Sequence, residues 1–439
     1  MIRNRLRHDQ ERREITRRKF GFTVLGAATA GLVTSRIAHA TDPDFTLAII
    51  PDTQYLAYLC GTAFTNMMTW IVTNRAASQG GVFTANIKAV IGVGDCTHTT
   101  GSGEFATGAT AYGVLDTAGI PWVNPPGNHD YVDNGGVNTD RSTLGAGYGT
   151  SGYFGAASRQ TAYTGGTYGL GTWVDAYDTA NYAVGYAIGS RKLLVFSVEF
   201  LPRVAVIAWA KGLHDSHLGY ECIISTHSFI SDAGNFMHFS GEAANLGDDN
   251  DSGNYGLNPT ITTSSSAFQS GYSAWNNYLN LWSNLTLVLS GHSIYQSWHT
   301  AGSWLMQQVP LTSASSRAQT VQGIFNNWQE SDAGTYSGVL PGGGGNVGPG
   351  TYCSGVPQGS SGSRIAHVML LHFRPSAGKL DGYAVSTNTG LWEQTYANRT
   401  TAPAATPQLL FSVDYAGVPS VQAMSSTSGG ITGSAGVRR

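Results

Sequence analysis

Short continuous apolar runs recur along this chain at 45–51 (FTLAIIP), 87–93 (IKAVIGV), 192–200 (KLLVFSVEF), 220–225 (YECIIS) and 285–289 (LTLVL). Such runs, short and rich in Ile, Leu and Val, predict buried strands. Between them the apolar positions change period. Phe64, Met67, Met68 and Ile71 share one face of a helix expected over 62–77, and 107–118, 202–213 and 272–282 read in the same way. Pro202 stands near the first turn of the third of these, where proline is tolerated. A further short strand is expected at 121–124. Strands separated by helices predict βαβ units and a partly parallel sheet. Later strands are expected at 304–309, 320–325, 365–373 and 382–387, mostly antiparallel.

Two stretches break this alternation. Residues 131–190 are rich in Gly, Tyr, Thr and Ser with little helical periodicity. They predict a long insertion with short strands, one at 183–188, of the kind that often forms a lid or binding loop. Residues 231–266 are polar and predict a loop, with an acidic cluster at Asp248, Asp249 and Asp251 whose spacing misses the EF-hand pattern. After about residue 400 the chain turns rich in Ala, Ser, Gly and Pro and predicts a flexible tail over 401–439. One domain over 41–400, carrying the insertion, is the expected organisation.

The 439 residues have a formal net charge of -3, but the charges are unevenly placed. The first 40 hold nine basic and three acidic groups, so the other 399 hold 15 basic and 24 acidic ones. So acidic a body has no charge footprint for nucleic acid. It also lacks an apolar run of about 18 residues, so no stable membrane span is expected in the mature protein. Apolar content of 41% excludes a disordered chain. The basic start, the short apolar stretch 21–33 and the Ala38-His39-Ala40 tripeptide read as a secretory signal over 1–40. The pair Arg17-Arg18 before Lys19-Phe20 resembles a twin-arginine export signal. That implies a periplasmic or extracellular protein, the twin-arginine machinery as a partner, and a cofactor loaded before export. Of the cysteines Cys60, Cys96, Cys222 and Cys353, none is spaced as a zinc pattern, and an oxidising destination permits disulfides. Cys222, in an apolar run, is expected to be a small buried hydrophobe.

The chemistry gathers at the ends of the predicted strands. They run into Asp52-Thr53-Gln54, Gly94-Asp95, Gly127-Asn128-His129-Asp130, His227 and Gly291-His292. In an open α/β sheet, groups at the C-terminal strand ends converge on one crevice. Asp, Asn, Gln and His all offer O or N electron pairs to a metal, and a mixed carboxylate and imidazole set suits Mn, Fe or Zn. Taken singly, each has a plainer reading. A strand-end Asp often caps a helix, Asn and Asp favour turns, and a lone His is usually an ordinary loop residue.

In this order the motifs resemble the calcineurin-like metallophosphoesterase family, whose signature runs D-x-H, G-D, G-N-H-[DE], H and G-H-x-H. The resemblance spans roughly residues 44–395. It is nearest to secreted members that begin Pro-Asp-Thr-Gln, as residues 51–54 do, with Ser197-Val198-Glu199-Phe200, Pro202-Arg203 and Asn327-Trp328-Gln329 further marks of that subgroup. It implies an α/β fold of two mixed β-sheets packed as a sandwich with flanking helices. It implies two metal ions bridged by Asp95, with Asp52 and Gln54 on the first and Asn128, His227 and His292 on the second. It implies hydrolysis of a phosphomonoester or phosphodiester, small or oligomeric, by metal-activated water. His129 would protonate the leaving oxygen or stabilise charge on the phosphoryl group, and Asp130 would orient that imidazole.

Two positions depart from the signature. Gln54 replaces a His, and Ile294, which cannot ligate, stands where the last His of G-H-x-H is expected. The second ion of the pair is thereby put in question. The same departures favour an alternative, a non-catalytic ligand-binding protein that keeps the fold. A carbohydrate-binding module, suggested by Tyr and Trp in the insertions, leaves the ordered motifs unexplained. His98, three residues after Asp95, reads as a plain loop residue before it reads as one that faces the site. Glu199 reads equally as a supporting partner or a structural hydrogen-bonding group, and Asn327 and Gln329 as substrate contacts or turn caps.

Overall fold

The computed structural model describes residues 42–132, 142–231, 234–239, 268–292, 306–312, 320–327, 366–394 and 404–415. The expected export signal, Asp248 to Asp251, Ile294, Gln329 and Cys353 lie outside these residues.

Two seven-stranded mixed sheets carry the fold among the described residues. The first contains β1 (Phe45–Ile50), β4 (Ile87–Gly92), β5 (Trp122–Val123), β13 (His367–Arg374), β14 (Lys379–Ser386), β15 (Leu391–Trp392) and β16 (Phe411–Asp414). Its strands β1, β4 and β5 run parallel, and β13 joins β1 antiparallel. The second contains β6 (Gly171–Ala176), β7 (Tyr182–Ile188), β8 (Arg191–Ser197), β9 (Glu221–Ser225), β10 (Leu285–Ser290), β11 (Met306–Thr312) and β12 (Thr320–Asn326). There β8, β9, β10 and β12 are mutually parallel, with antiparallel partners at both edges. A small hairpin pairs β2 (Ser78–Gln79) with β3 (Phe83–Thr84).

Period-two alternation decides what each sheet face meets. From the second sheet, Leu193, Val195, Ile223, Leu287 and Leu289 pack into one core with Leu47, Ile49, Ala89 and Ile91 of the first. Their neighbours Leu194, Phe196, Cys222, Ile224 and Val288 face the other way, onto Val206, Ile207, Ala210, Ala274 and Trp275. These come from helices Val204–Ser216 and Gly271–Asn277. On the outer face of the first sheet, helix Gly61–Asn74 buries Phe64, Met67, Met68 and Ile71, the stripe seen in the sequence. The result is the expected α/β sandwich with flanking helices. Polar ties also cross between the sheets. Ser225 Oγ donates to the Gly92 carbonyl at 2.6 Å, and Asn326 Nδ2 donates to the Ile49 carbonyl at 3.2 Å.

Three expectations differ from the structure. The helix expected from 107 begins earlier, as Ser102–Thr117, because its first turn is Ser, Gly and Glu rather than apolar. Residues 156–164 form a helix, Ala156–Thr164, and β6 and β7 complete the edge of the second sheet. Periodicity missed that helix because one of its buried positions is a charged residue. Arg159 lies 3.9 Å over the Trp122 ring and donates to Tyr168 Oη at 2.9 Å. Finally, part of the expected tail is a strand. Residues 411–414 pair with β14, Phe411 is buried, and buried Tyr415 donates to Glu221 Oε2 at 2.6 Å.

Candidate metal centre

The parallel strands of both sheets end on the same side, so topology brings their C-terminal exits together. Pro51 leads from β1 to Asp52, Val93 and Gly94 lead from β4 to Asp95, and β5 leads to a 3-10 turn at Asn128–Asp130. From the second sheet, β9 leads to His227 and β10 to His292. The exits are laced together. Thr53 N donates to the Asp95 carbonyl at 3.1 Å and Gly291 N to the His227 carbonyl at 2.9 Å.

Asp52, Asp95 and His227 are buried and form a group whose ligating atoms all lie within 4.8 Å of one another. His227 Nε2 stands 3.1 Å from Asp95 Oδ2 and 3.1 Å from Asn128 Oδ1. His292 Nδ1 approaches the same Asn128 oxygen at 2.9 Å. His227 Nδ1 lies 2.8 Å from the Val93 carbonyl. A carbonyl only accepts, so Nδ1 carries the hydrogen and Nε2 faces the carboxylates with its lone pair, the arrangement metal-binding imidazoles adopt.

The local backbone serves this packing. Asp95 and His292 hold left-handed φ of 47° and 72°, conformations that cost energy in non-glycine residues and concentrate at functional sites. Asn327 Nδ2 steadies the second by donating to the His292 carbonyl at 3.2 Å. A Cβ at Gly127 would lie 2.1 Å from Asp95 Oδ1, so any larger residue there would force Asp95 or the turn to move. Gly94 has φ of 102°, and its Cβ would meet the His227 ring at 2.7 Å.

Two carboxylates buried side by side oppose one another. Burial, then Asp95, raises the pKa of Asp52 well above the usual carboxylate range. Burial also acts to raise Asp95, but His227, His129 and His292 outweigh it and hold that carboxyl at about 2. Burial tends to lower His227, and the Asp95 charge reverses this, leaving its pKa raised. A cation among these groups would relieve the repulsion that lifts Asp52, so the donor set fits a metal.

The remaining expected residues lie close by with altered duties. Gln54 donates its backbone N–H to Asp52 Oδ1 at 3.2 Å. Its side-chain oxygen, expected on a metal, instead accepts from His98 Nδ1 at 2.8 Å. Asp130, expected to orient His129, commits its carboxylate to other donors. It accepts from Gly127 N at 2.9 Å, Cys96 N at 3.1 Å, and Thr97 N and Oγ1 at 2.9 Å each, bracing two loops together. Burial, then Asp95, pushes its pKa up to about 7. The His129 ring is oriented by a backbone group, its Nδ1 donating to the His98 carbonyl at 2.9 Å, while its own N–H donates to Asp95 Oδ1 at 2.8 Å.

His98 therefore belongs to the site. Its ring stacks on His129 with centroids 5.1 Å apart and planes at 18°, and tilts against Tyr55 and Tyr58. Glu104 fixes its loop by accepting from His98 N and Thr99 N. The spacing Asp95-x-x-His98 was the only sign of this in the sequence. Glu199 is fully buried and hydrogen-bonded beside the centre. Its carboxylate takes Arg203 and Asn181, while its carbonyl accepts from Thr226 Oγ1, next to His227, at 3.0 Å. Cys60 is disulfide-bonded, whereas Cys96 and Cys222 are free and buried.

No protein family matches this chain by sequence, and no curated protein does. Among solved structures it is similar to a purple acid phosphatase from seeds of yellow lupin (Lupinus luteus), with a TM-score of 0.42 and 9% identity. That likeness covers 81% of this chain and 53% of the lupin protein, so the chain spans about half of that structure. No helix of the described residues is long and apolar enough to cross a membrane.

Proposed function

We propose that the strand-end cluster binds metal and hydrolyses a phosphomonoester or phosphodiester. The observation that carries this reading is the buried group Asp52, Asp95 and His227, with Asn128 Oδ1 poised between His227 and His292. An ion held by these five residues, Mn, Fe or Zn by donor type, would lower the pKa of a coordinated water and offset phosphoryl charge; a second ion would share Asp95.

The chain's own residues supply the rest. Val93 holds His227 in the tautomer that leaves Nε2 open. With Nδ1 committed to the His98 carbonyl, His129 offers Nε2 to the leaving oxygen. As the P–O bond breaks, its electron pair goes to that oxygen, which takes the Nε2 proton of the imidazolium form of His129 and leaves the neutral Nδ1–H tautomer. A water oxygen forms the new bond to phosphorus, and a proton lost by that water restores His129. The first 40 residues act as an export signal, which places the work outside the cytoplasm by the twin-arginine route.

Gln54 and Ile294, which replace two expected histidines, favour a second reading, a binding protein without turnover. One experiment separates them. Purified protein is assayed for bound metal and for hydrolysis of p-nitrophenyl phosphate and bis(p-nitrophenyl) phosphate, alongside Asp95→Asn. Catalysis requires bound metal, and Asp95→Asn should cost more than about 100-fold, the upper range for losing an outer partner of a ligand. Metal or phosphate binding with no turnover selects the second reading, and no metal with no Asp95-dependent hydrolysis defeats the proposal.

A further inference from the structure

The signature's departure at Gln54 and the unexpected partner of His129 meet in one place. Gln54 Oε1 is 2.8 Å from His98 Nδ1, and the His98 carbonyl is 2.9 Å from His129 Nδ1. Neither oxygen can donate, so both rings carry their hydrogen on Nδ1 and keep Nε2 for other use. The rings lie nearly parallel, 5.1 Å apart, so His98 touches His129 both through its backbone and through its face. Among the described residues no hydrogen bond occupies Nε2 of either ring, and both side chains are half-buried. His98 is itself confined by Tyr55 and Tyr58, with ring centroids at 4.9 and 5.2 Å, and by Glu104 at its backbone N–H.

We infer that Gln54 and His98 are positioning residues for His129, taking the part that Asp130 was expected to play, and that Gln54 is not a metal ligand. Gln54 fixes the His98 ring, and His98 fixes the tautomer and the plane of His129, so that Nε2 is aimed at the leaving oxygen. This rests on the phosphoesterase reading above. The link from Gln54 to Asp52 is through backbone N–H, which survives any change of the Gln54 side chain. Replacing that side chain should therefore leave the metal group intact while loosening the two rings.

The test compares wild type with Gln54→Leu, Gln54→Glu and His98→Ala. Each is measured for bound metal and for kcat on p-nitrophenyl phosphate and on an alkyl phosphate. The nitrophenolate leaves without a proton, whereas an alkoxide needs one, so a defect in aiming His129 must appear chiefly with the alkyl ester. Gln54→Leu and His98→Ala should retain metal, lose about tenfold or more in kcat on the alkyl ester, and change by less than about threefold on the nitrophenyl ester. Gln54→Glu, whose carboxylate still accepts from Nδ1, should restore the alkyl-ester rate. In metal-stripped protein, imidazole 15N shifts of His129 should report Nδ1–H in wild type and tautomer exchange in Gln54→Leu.

Loss of metal in Gln54→Leu would make Gln54 a ligand and overturn the inference. So would equal losses on both esters with metal retained, or an unchanged His129 tautomer in Gln54→Leu. A wild type with neither metal nor hydrolysis would defeat the phosphoesterase reading instead, and the 15N comparison would still judge the positioning of His129.

Discussion

His227 Nε2 lies 3.1 Å from Asp95 Oδ2, joining the second residue after β9 to the loop after β4 and so linking the two sheets at the candidate centre. Both groups are buried, and the Val93 carbonyl on Nδ1 leaves the imidazole no freedom to turn. Replacing His227 by Gln should keep the hydrogen bond to Val93 in part but remove the Nε2 donor. Bound metal should fall by more than about 100-fold in affinity, read by chelator competition. Unchanged affinity would remove His227 from the ligand set.

Metal affinity should weaken as pH falls. Binding needs Asp52, Asp95 and His227 free of protons. Asp52 and His227 have raised pKa values in the metal-free fold, so on acidification each takes up a proton sooner than it would in water. Asp95, held at about 2, stays ionised throughout. Chelator competition at about pH 8 and about pH 5 should show tighter binding at the higher value, because proton release accompanies binding. Equal affinity at both would mean the two raised groups do not ligate.

Gly127→Ala tests the closest approach in the site. The added Cβ would stand 2.1 Å from Asp95 Oδ1 and 2.4 Å from Asp95 N, far inside any tolerated contact. Asp95 must move or the 3-10 turn must shift. The variant should remain folded by circular dichroism, with its melting temperature lowered, and should lose bound metal. Retained metal would show that the loop yields without disturbing Asp95.

Asp130→Ala should behave as a stability variant first. The backbone N–H groups of Gly127, Cys96 and Thr97 would lose their acceptor inside the protein, while Thr97 Oγ1 keeps the His129 carbonyl. A buried donor left unsatisfied costs about 1–3 kcal/mol, so a loss of at least about 3 kcal/mol is expected in urea unfolding of the metal-free protein. A change below about 1 kcal/mol would mean that water replaces the carboxylate.

The anchoring of the C-terminal strand is separately testable. Tyr415 Oη donates to Glu221 Oε2, a carboxylate also held by Arg191 Nε at 2.8 Å. Tyr415→Phe removes one bond and leaves Glu221 its guanidinium partner, so about 1–2 kcal/mol should be lost. No loss would indicate that residues 411–415 add nothing to the fold's stability.

The buried strands and the Gly61–Asn74 helix were legible in the sequence because their signals are local, a short apolar run or a stripe of period 3.6. So was the set of polar strand ends, since a parallel sheet carries every strand exit to one edge. The helix Ala156–Thr164 was not legible, because Arg159 is buried by stacking and hydrogen bonds rather than by apolarity. Strand order alone decided which of the gathered groups touch. Gln54, His98 and His129 belong to three separate strand exits, and only the pairing of β1, β4 and β5 sets them side by side. The sequence by itself determined which donors the crevice holds and at which strand ends. The tertiary structure determined that Asp52, Asp95 and His227 share one buried pocket, that Gln54 turns to His98, and that Asp130 braces backbone. A hydrogen-bond partner is chosen by long-range packing, which no local period records.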